Sequence, residues 1–157
     1  MIMIRLVSWN INSVRLRMPL IKQLTESQNP DIICLQETKV TDEAFPLKKI
    51  KALGYSYVAF SGEKGYNGVA ILSKIPLSQP KKFEIGGNDN KRHIAVSLPD
   101  GTELHNFYVP AGGDEPDPEI NPKFAHKLRF LREMTDFFKE NHNQNDNIII
   151  TGDMNIA

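Results

Sequence analysis

Short apolar runs alternate along this chain with segments whose apolar residues recur at helical spacing, an alternation that predicts an α/β domain. Residues 4–9 read as a first strand, left through the turn Asn10-Ile11-Asn12-Ser13. Leu16, Leu20 and Leu24, with Pro19 tolerable in a first turn, predict a helix that stops before Asn29-Pro30. Residues 31–36 are nearly all apolar and read as a strand buried on both faces. A second helix is expected over 47–53, closed by Gly54. Strands follow at 55–60 and 69–73, joined by a glycine-bearing loop. The strongest hairpin signal is 93–98 and 103–109 around Pro99-Asp100-Gly101-Thr102, because Asp-Gly suits a tight turn. After a Pro/Gly-rich loop at 112–122, Phe124, Leu128, Leu131, Thr135 and Phe138 keep near-helical spacing, and Phe130, Met134 and Phe137 broaden the stripe into a core-packing face. The run 148–151 is the last strand and ends in Gly152-Asp153-Met154-Asn155.

With 157 residues, 40% of them apolar, the chain is sized for one compact domain. Lys plus Arg balances Asp plus Glu at 19 each, so any nucleic-acid-binding charge must be local. The single cysteine, Cys34, lies inside an apolar strand; it excludes an intrachain disulfide and reads as a buried, inert thiol in a reducing compartment. Neither a leader pattern at Met1–Arg5 nor an apolar run of membrane-spanning length is present, so the expectation is a cytoplasmic protein without a membrane partner.

Three strands end in polar clusters: Asn10-Ile11-Asn12, Gln36-Glu37-Thr38-Lys39, and Asp153-Met154-Asn155. The carboxyl ends of strands in α/β sheets are where sites assemble. Taken singly, Asn and Asp at such places are ordinary turn formers. Together the clusters hold two carboxylates with amides and a lysine, the hard-oxygen inventory suited to Mg²⁺ and phosphate. Glu37 and Asp153, each at the end of an apolar strand, need a cation, an amide or water as partner. His93, His105, His126 and His142 show no metal-ligand spacing and read as structural or surface residues. Trp9 reads as core.

The blocks Asn10-Ile11-Asn12, Leu35-Gln36-Glu37-Thr38-Lys39, Gly68-Val69-Ala70-Ile71-Leu72, Tyr108-Val109-Pro110 with Gly112, and Gly152-Asp153-Met154-Asn155-Ile156 resemble, in order, those of the exonuclease III family of abasic-site endonucleases. The Gln-Glu and Gly-Asp-x-Asn elements alone would also fit the wider group holding deoxyribonucleases, sphingomyelinases and inositol-phosphate phosphatases. The resemblance implies a two-sheet α/β sandwich, the endonuclease/exonuclease/phosphatase fold. It implies Mg²⁺ (or Mn²⁺) chemistry on double-stranded DNA with abasic sites or 3′ ends: cleavage 5′ to the abasic site, with 3′ to 5′ exonuclease and 3′-phosphatase activity. Glu37 would be the principal metal ligand, with Asn10 beside it in the metal and phosphate shell. Asp153 would activate or position the attacking water. Asn155 would bond the phosphate or hold Asp153 in line, and Tyr108 would bond a phosphate oxygen or assist the nucleophile. Asn12, Lys39 and Arg92 are the expected substrate contacts; Arg92, like Lys64 and Lys91, reads equally well as a solvated charge.

Members of that family are longer, and their late aspartate and Ser-Asp-His motif have no counterpart in these residues. The expectations are therefore a fold truncated before its second half, little or no activity from this chain by itself, and an apolar sheet face that invites association. The complete enzyme is expected to be a monomer, and the alternative for this chain is a silent fragment that acts by binding a partner.

Overall fold

The computed structural model describes residues 3–83, 85–86 and 91–156. Met1, Ile2 and Ala157, on which the reading of the chain ends rests in part, lie outside the described residues. The strands are β1 (Leu6–Asn10), β2 (Ile32–Gln36), β3 (Tyr57–Ser61), β4 (Val69–Ser73), β5 (His93–Ser97), β6 (Glu103–Tyr108) and β7 (Ile148–Asp153). The α-helices are α1 (Met18–Gln28), α2 (Leu47–Ala52) and α3 (Pro122–Asn141). Four strands make one sheet in the order β1-β2-β4-β3, and three make the other in the order β5-β6-β7. Both parallel pairs, β1 with β2 and β6 with β7, are bridged by a helical crossover, α1 and α3.

Each layer follows from the side-chain alternation of its strands. In β2 every residue is buried because both faces are covered. Ile33 and Leu35 pack with Ile21 of α1, Ile50 of α2 and Tyr55. On the opposite face Ile32 and Cys34 meet Ile94, Val96 and Leu104 of the second sheet. Phe107 and Val109 look outward to Phe130 of α3. The result is a helix–sheet–sheet–helix stack, as the resemblance implied. Among the described residues, no helix is long and apolar enough to cross a membrane.

Local chemistry sets the element ends. Asn29 closes α1 in the left-handed conformation (φ 47°) and donates its backbone N–H to the carbonyl of Thr25. Asn121 opens α3, its side chain accepting from the backbone N–H groups of Lys123 and Phe124, with Pro122 at the first helical position.

Several expectations are corrected. β1 begins at Leu6 and reaches Asn10, so it covers 6–10 and not 4–9. Leu16 precedes α1 and is 76% exposed, while Ile21 is the fully buried residue of that helix. Tyr55 precedes β3 and is buried beneath α1, where its hydroxyl donates to the Pro30 carbonyl. The α3 stripe is less enclosed than a core face: Phe130 alone is fully buried, and Leu131, Met134, Thr135 and Phe138 line an open, ≈460 Å³ apolar groove with Ile150. Of the two strands expected to present an apolar face, those ending in Glu37 and Asp153, only β7 does so, with Ile149 and Ile150 exposed at the edge of its sheet; β2 is sealed.

Candidate active site

Glu37 sits where β2 gives way to a loop, and its backbone is left-handed (φ 54°), a conformation that costs a residue with a Cβ roughly 1–2 kcal/mol. Backbone bonds hold it there. Ser13 N–H donates to the Glu37 carbonyl at 2.8 Å and Val14 N–H to the Thr38 carbonyl at 3.1 Å, while Thr38 N–H donates to the Gly68 carbonyl at 3.1 Å. Gly68 must be glycine: its φ is +92°, and a Cβ would lie 2.1 Å from Thr38 Oγ1. The loops after β1, β2 and before β4 thus support one another and aim Glu37 across the end of the sandwich.

The strand ends meet there. Asn10 Nδ2 donates to Glu37 Oε1 at 2.8 Å and to Asp153 Oδ2 at 2.8 Å, so a single amide joins the carboxylates of the two sheets. Asn10 Oδ1 accepts from Asn12 N–H at 3.2 Å, which leaves the donor end of the amide facing the carboxylates. Tyr108, paired with Asp153 on adjacent strands, donates its hydroxyl to Glu37 Oε1 at 2.9 Å. Lys39 Nζ lies 2.8 Å from Glu37 Oε2 and donates to Asn12 Oδ1 at 2.7 Å. The Arg92 guanidinium stacks on the Tyr108 ring at 4.5 Å and donates to the Tyr108 carbonyl at 3.2 Å. Asn155 donates Nδ2 to the Val109 carbonyl at 2.9 Å, pinning the turn after β7 to the end of β6.

The electrostatics follow from these contacts. Burial pushes the Glu37 carboxyl up, but hydrogen bonds from Asn10, Lys39 and Tyr108, with the Lys39 charge, outweigh it and hold the group below its ordinary value. The Tyr108 hydroxyl is pushed up to about 12, by burial first and then by its bond to the Glu37 carboxylate. It therefore stays a proton donor at neutral pH. The site pairs an ionised carboxylate with a neutral phenol.

The donor set fits a hard divalent cation. Two carboxylates approach one small polar group, and the lysine ammonium on Glu37 shows that the carboxylate already draws positive charge. Of the eight residues expected to form the site, Asn10, Asn12, Glu37, Lys39, Tyr108 and Asp153 join one hydrogen-bonded cluster. Arg92 reaches it through the Tyr108 ring, and Asn155 reaches only its supporting turn.

Beneath the cluster lies a buried polar network absent from the sequence reading. Gln36 Nε2 donates to Asn106 Oδ1 at 2.7 Å, and Asn106 Nδ2 donates to the carbonyls of Leu35 at 2.9 Å and Ala70 at 3.0 Å. Gln36 is 1% and Asn106 0% exposed, and the pair ties one sheet to the other one residue below Glu37. The available signal was a polar residue placed inward within an otherwise apolar strand.

The Endonuclease/Exonuclease/phosphatase family model matches residues 7–157. The chain belongs to this family. It is 36% identical over 161 residues to exodeoxyribonuclease III of Haemophilus influenzae, covering 98% of this chain and 58% of that protein. With DNA-(apurinic or apyrimidinic site) endonuclease 2 of Xenopus laevis it shares 29% over 191 residues, covering 98% of this chain and 36% of that protein. Among solved structures, an AP endonuclease from Archaeoglobus fulgidus superposes with a TM-score of 0.87 at 31% identity, covering 99% of this chain and 58% of the other. A 3′ phosphatase from Neisseria bound to a product DNA hairpin gives 0.85 at 29% identity, covering 99% of this chain and 59% of the other. The chain thus spans under three fifths of the length of these family members.

Proposed function

We propose that this chain carries the Glu37–Asp153 portion of the active site of a Mg²⁺-dependent DNA-repair nuclease that hydrolyses the phosphodiester 5′ to abasic sites and trims or dephosphorylates 3′ ends. The observation that carries the reading is the Asn10 amide held between Glu37 and Asp153, with the Tyr108 hydroxyl on Glu37. The names of the exodeoxyribonuclease and AP endonuclease relatives support the substrate class.

Glu37 would hold Mg²⁺, with Asn10 beside it fixing the carboxylate. When bound, the ion supplies positive charge against the negative charge developing on the phosphate. Asp153 lies at the end of the second sheet and orients the attacking water. The Tyr108 phenol, kept protonated and donating to Glu37 in this structure, turns its proton to a phosphate oxygen once the Glu37 carboxylate is taken up by the ion, or assists the nucleophile. Arg92 stiffens Tyr108 from beneath, and Asn155 fixes the turn that carries Asp153. Lys39 and Asn12 face the crevice as phosphate contacts. A lone, buried Cys34 supports a reducing, cytoplasmic setting, and the complete enzyme acts as a monomer on duplex DNA.

The test is nicking of a duplex with one abasic site across a Mg²⁺ titration, using the complete gene product. Glu37→Gln should move the Mg²⁺ midpoint upward, whereas Asp153→Asn should lower kcat with little change in that midpoint. Wild-type rates for both variants would remove these residues from the mechanism.

A further inference from the structure

At the other end of β6, roughly 17 Å from Tyr108 at the ordinary rise of a strand, a second cluster joins residues distant in sequence. Glu103 and His105 point to the same face of β6, the face covered by α3, and His142 caps the C-terminus of α3. Glu103 Oε2 lies 3.3 Å from His105 Nε2 and 3.6 Å from His142 Nε2, and all three atoms lie within 4.8 Å of one another. His105 is fully buried.

The His105 contact is a weak hydrogen bond at 3.3 Å, just beyond the usual N–H···O range of about 2.7–3.2 Å, and the 3.6 Å to His142 is longer still. Bonds of about 2.0–2.1 Å to one Zn²⁺ place neighbouring ligand atoms roughly 3.3–3.4 Å apart; the 3.3 Å separation equals that edge, the 3.6 Å one is slightly longer, and the two ring nitrogens, within 4.8 Å of each other, would draw together on binding. The remaining ring nitrogens are already oriented. His105 Nδ1 is 3.1 Å from His93 Nε2, and His142 Nδ1 is 3.4 Å from Asp146 Oδ2. A ligand histidine has its second nitrogen held by a neighbouring polar group in this way, so that the lone pair of the first faces the metal. Lys81 approaches Glu103 on the opposite oxygen, Oε1, at 3.5 Å, leaving Oε2 to the two histidines. A ≈430 Å³ cavity lined by Glu103, His142, Asp146 and Asn147 opens on the cluster and gives a fourth ligand, water or solute, a way in.

We propose that Glu103, His105 and His142 form a second metal site, for a transition ion with Zn²⁺-like preferences, which clamps the end of α3 to the start of β6. Two imidazoles and one carboxylate select such an ion over Mg²⁺, which prefers oxygen ligands. β7 starts only a few residues after His142, so the clamp fixes the origin of the strand that ends in Asp153.

The experiment is a calorimetric Zn²⁺ titration of the 157-residue chain in a Glu37→Gln, Asp153→Asn background, which removes the other carboxylate pair, with Co²⁺ absorption as a report of coordination. One equivalent of Zn²⁺ is expected, with a Co²⁺ spectrum of four-coordinate intensity. His142→Ala and Glu103→Gln should each weaken binding by about 100-fold or more, since loss of even an outer partner costs 10–100-fold. Circular dichroism of each variant checks folding, and the background protein gives the answer independently of them. No saturable Zn²⁺ binding in the background, or binding weakened less than about tenfold by both folded variants, would overturn the proposal and leave a plain hydrogen-bonded histidine pair.

Discussion

Replacing Asn106 with alanine tests the seam between the sheets. The substitution removes three hydrogen bonds: those from Asn106 Nδ2 to the Leu35 and Ala70 carbonyls and that from Gln36 Nε2 to Asn106 Oδ1. Gln36 is not stranded, because its amide keeps Ser8 Oγ at 3.2 Å and the Cys34 carbonyl at 3.3 Å. The expected loss therefore stays near the ordinary net value of about 1 kcal/mol per bond, about 3 kcal/mol in all, without the added penalty of an orphaned amide. For a chain of this size that corresponds to a fall in Tm of roughly 6–12 °C. Urea unfolding of the wild type, Asn106→Ala, Gln36→Ala and the double variant measures it. The cycle should return a coupling of about 1 kcal/mol for the 2.7 Å bond. A loss below about 1 kcal/mol, with no coupling, would refute the idea that these amides tie the sheets together.

Gly152→Ala should prevent soluble expression or sharply lower Tm, because the new Cβ would lie 1.9 Å from the Phe107 carbonyl oxygen at a backbone φ of +141°. Burial pushes the Cys34 thiol up to about 12. Between its ordinary value and there, the unfolded chain sheds a proton that the folded chain keeps. Stability should thus fall as pH rises above about 9, by up to ~1.4 kcal/mol per pH unit from this group, and Cys34→Ala should flatten the slope between about pH 9 and 10 in urea titrations, below the range where the raised Tyr108 and Tyr55 hydroxyls add slopes of the same sign. In the complete enzyme, Tyr108→Phe, which deletes the donor to Glu37, should lower kcat on an abasic duplex by about 100-fold; an unchanged kcat would assign the phenol to packing. The groove of Leu131, Met134, Phe138 and Ile150 beside the exposed edge of β7 should make the 157-residue chain associate with rising concentration; light scattering should drop with Ile150→Lys.

Much of the site was legible because polar residues terminate apolar runs: Glu37 after Ile32–Gln36 and Asp153 after Ile148–Thr151 could satisfy their charge only beyond the strand. Gln36 and Asn106 were not legible as a pair. Each looks like an ordinary strand residue, and nothing local says that the other stands opposite across two stacked sheets. The same blindness hid the histidine cluster. Strand alternation alone puts Glu103 and His105 on one face, but His142 arrives there through the length and direction of α3. Helical spacing revealed the α3 stripe without its degree of cover, since periodicity reports which side is apolar and not what lies against it.

The Asn10 amide contacts Glu37 on its own sheet and Asp153 on the other, both at 2.8 Å. Sliding the layers past one another by about 1 Å could carry one of those contacts outside hydrogen-bonding range. The cluster is therefore a vernier for interlayer shear, and substitutions deep in the Ile32, Ile71, Ile94 and Leu104 interface can blunt chemistry without touching a reacting group. Pressure, or a change of side-chain volume in that interface, should consequently show up in the reaction rate of the complete enzyme before it shows up in the unfolding curve.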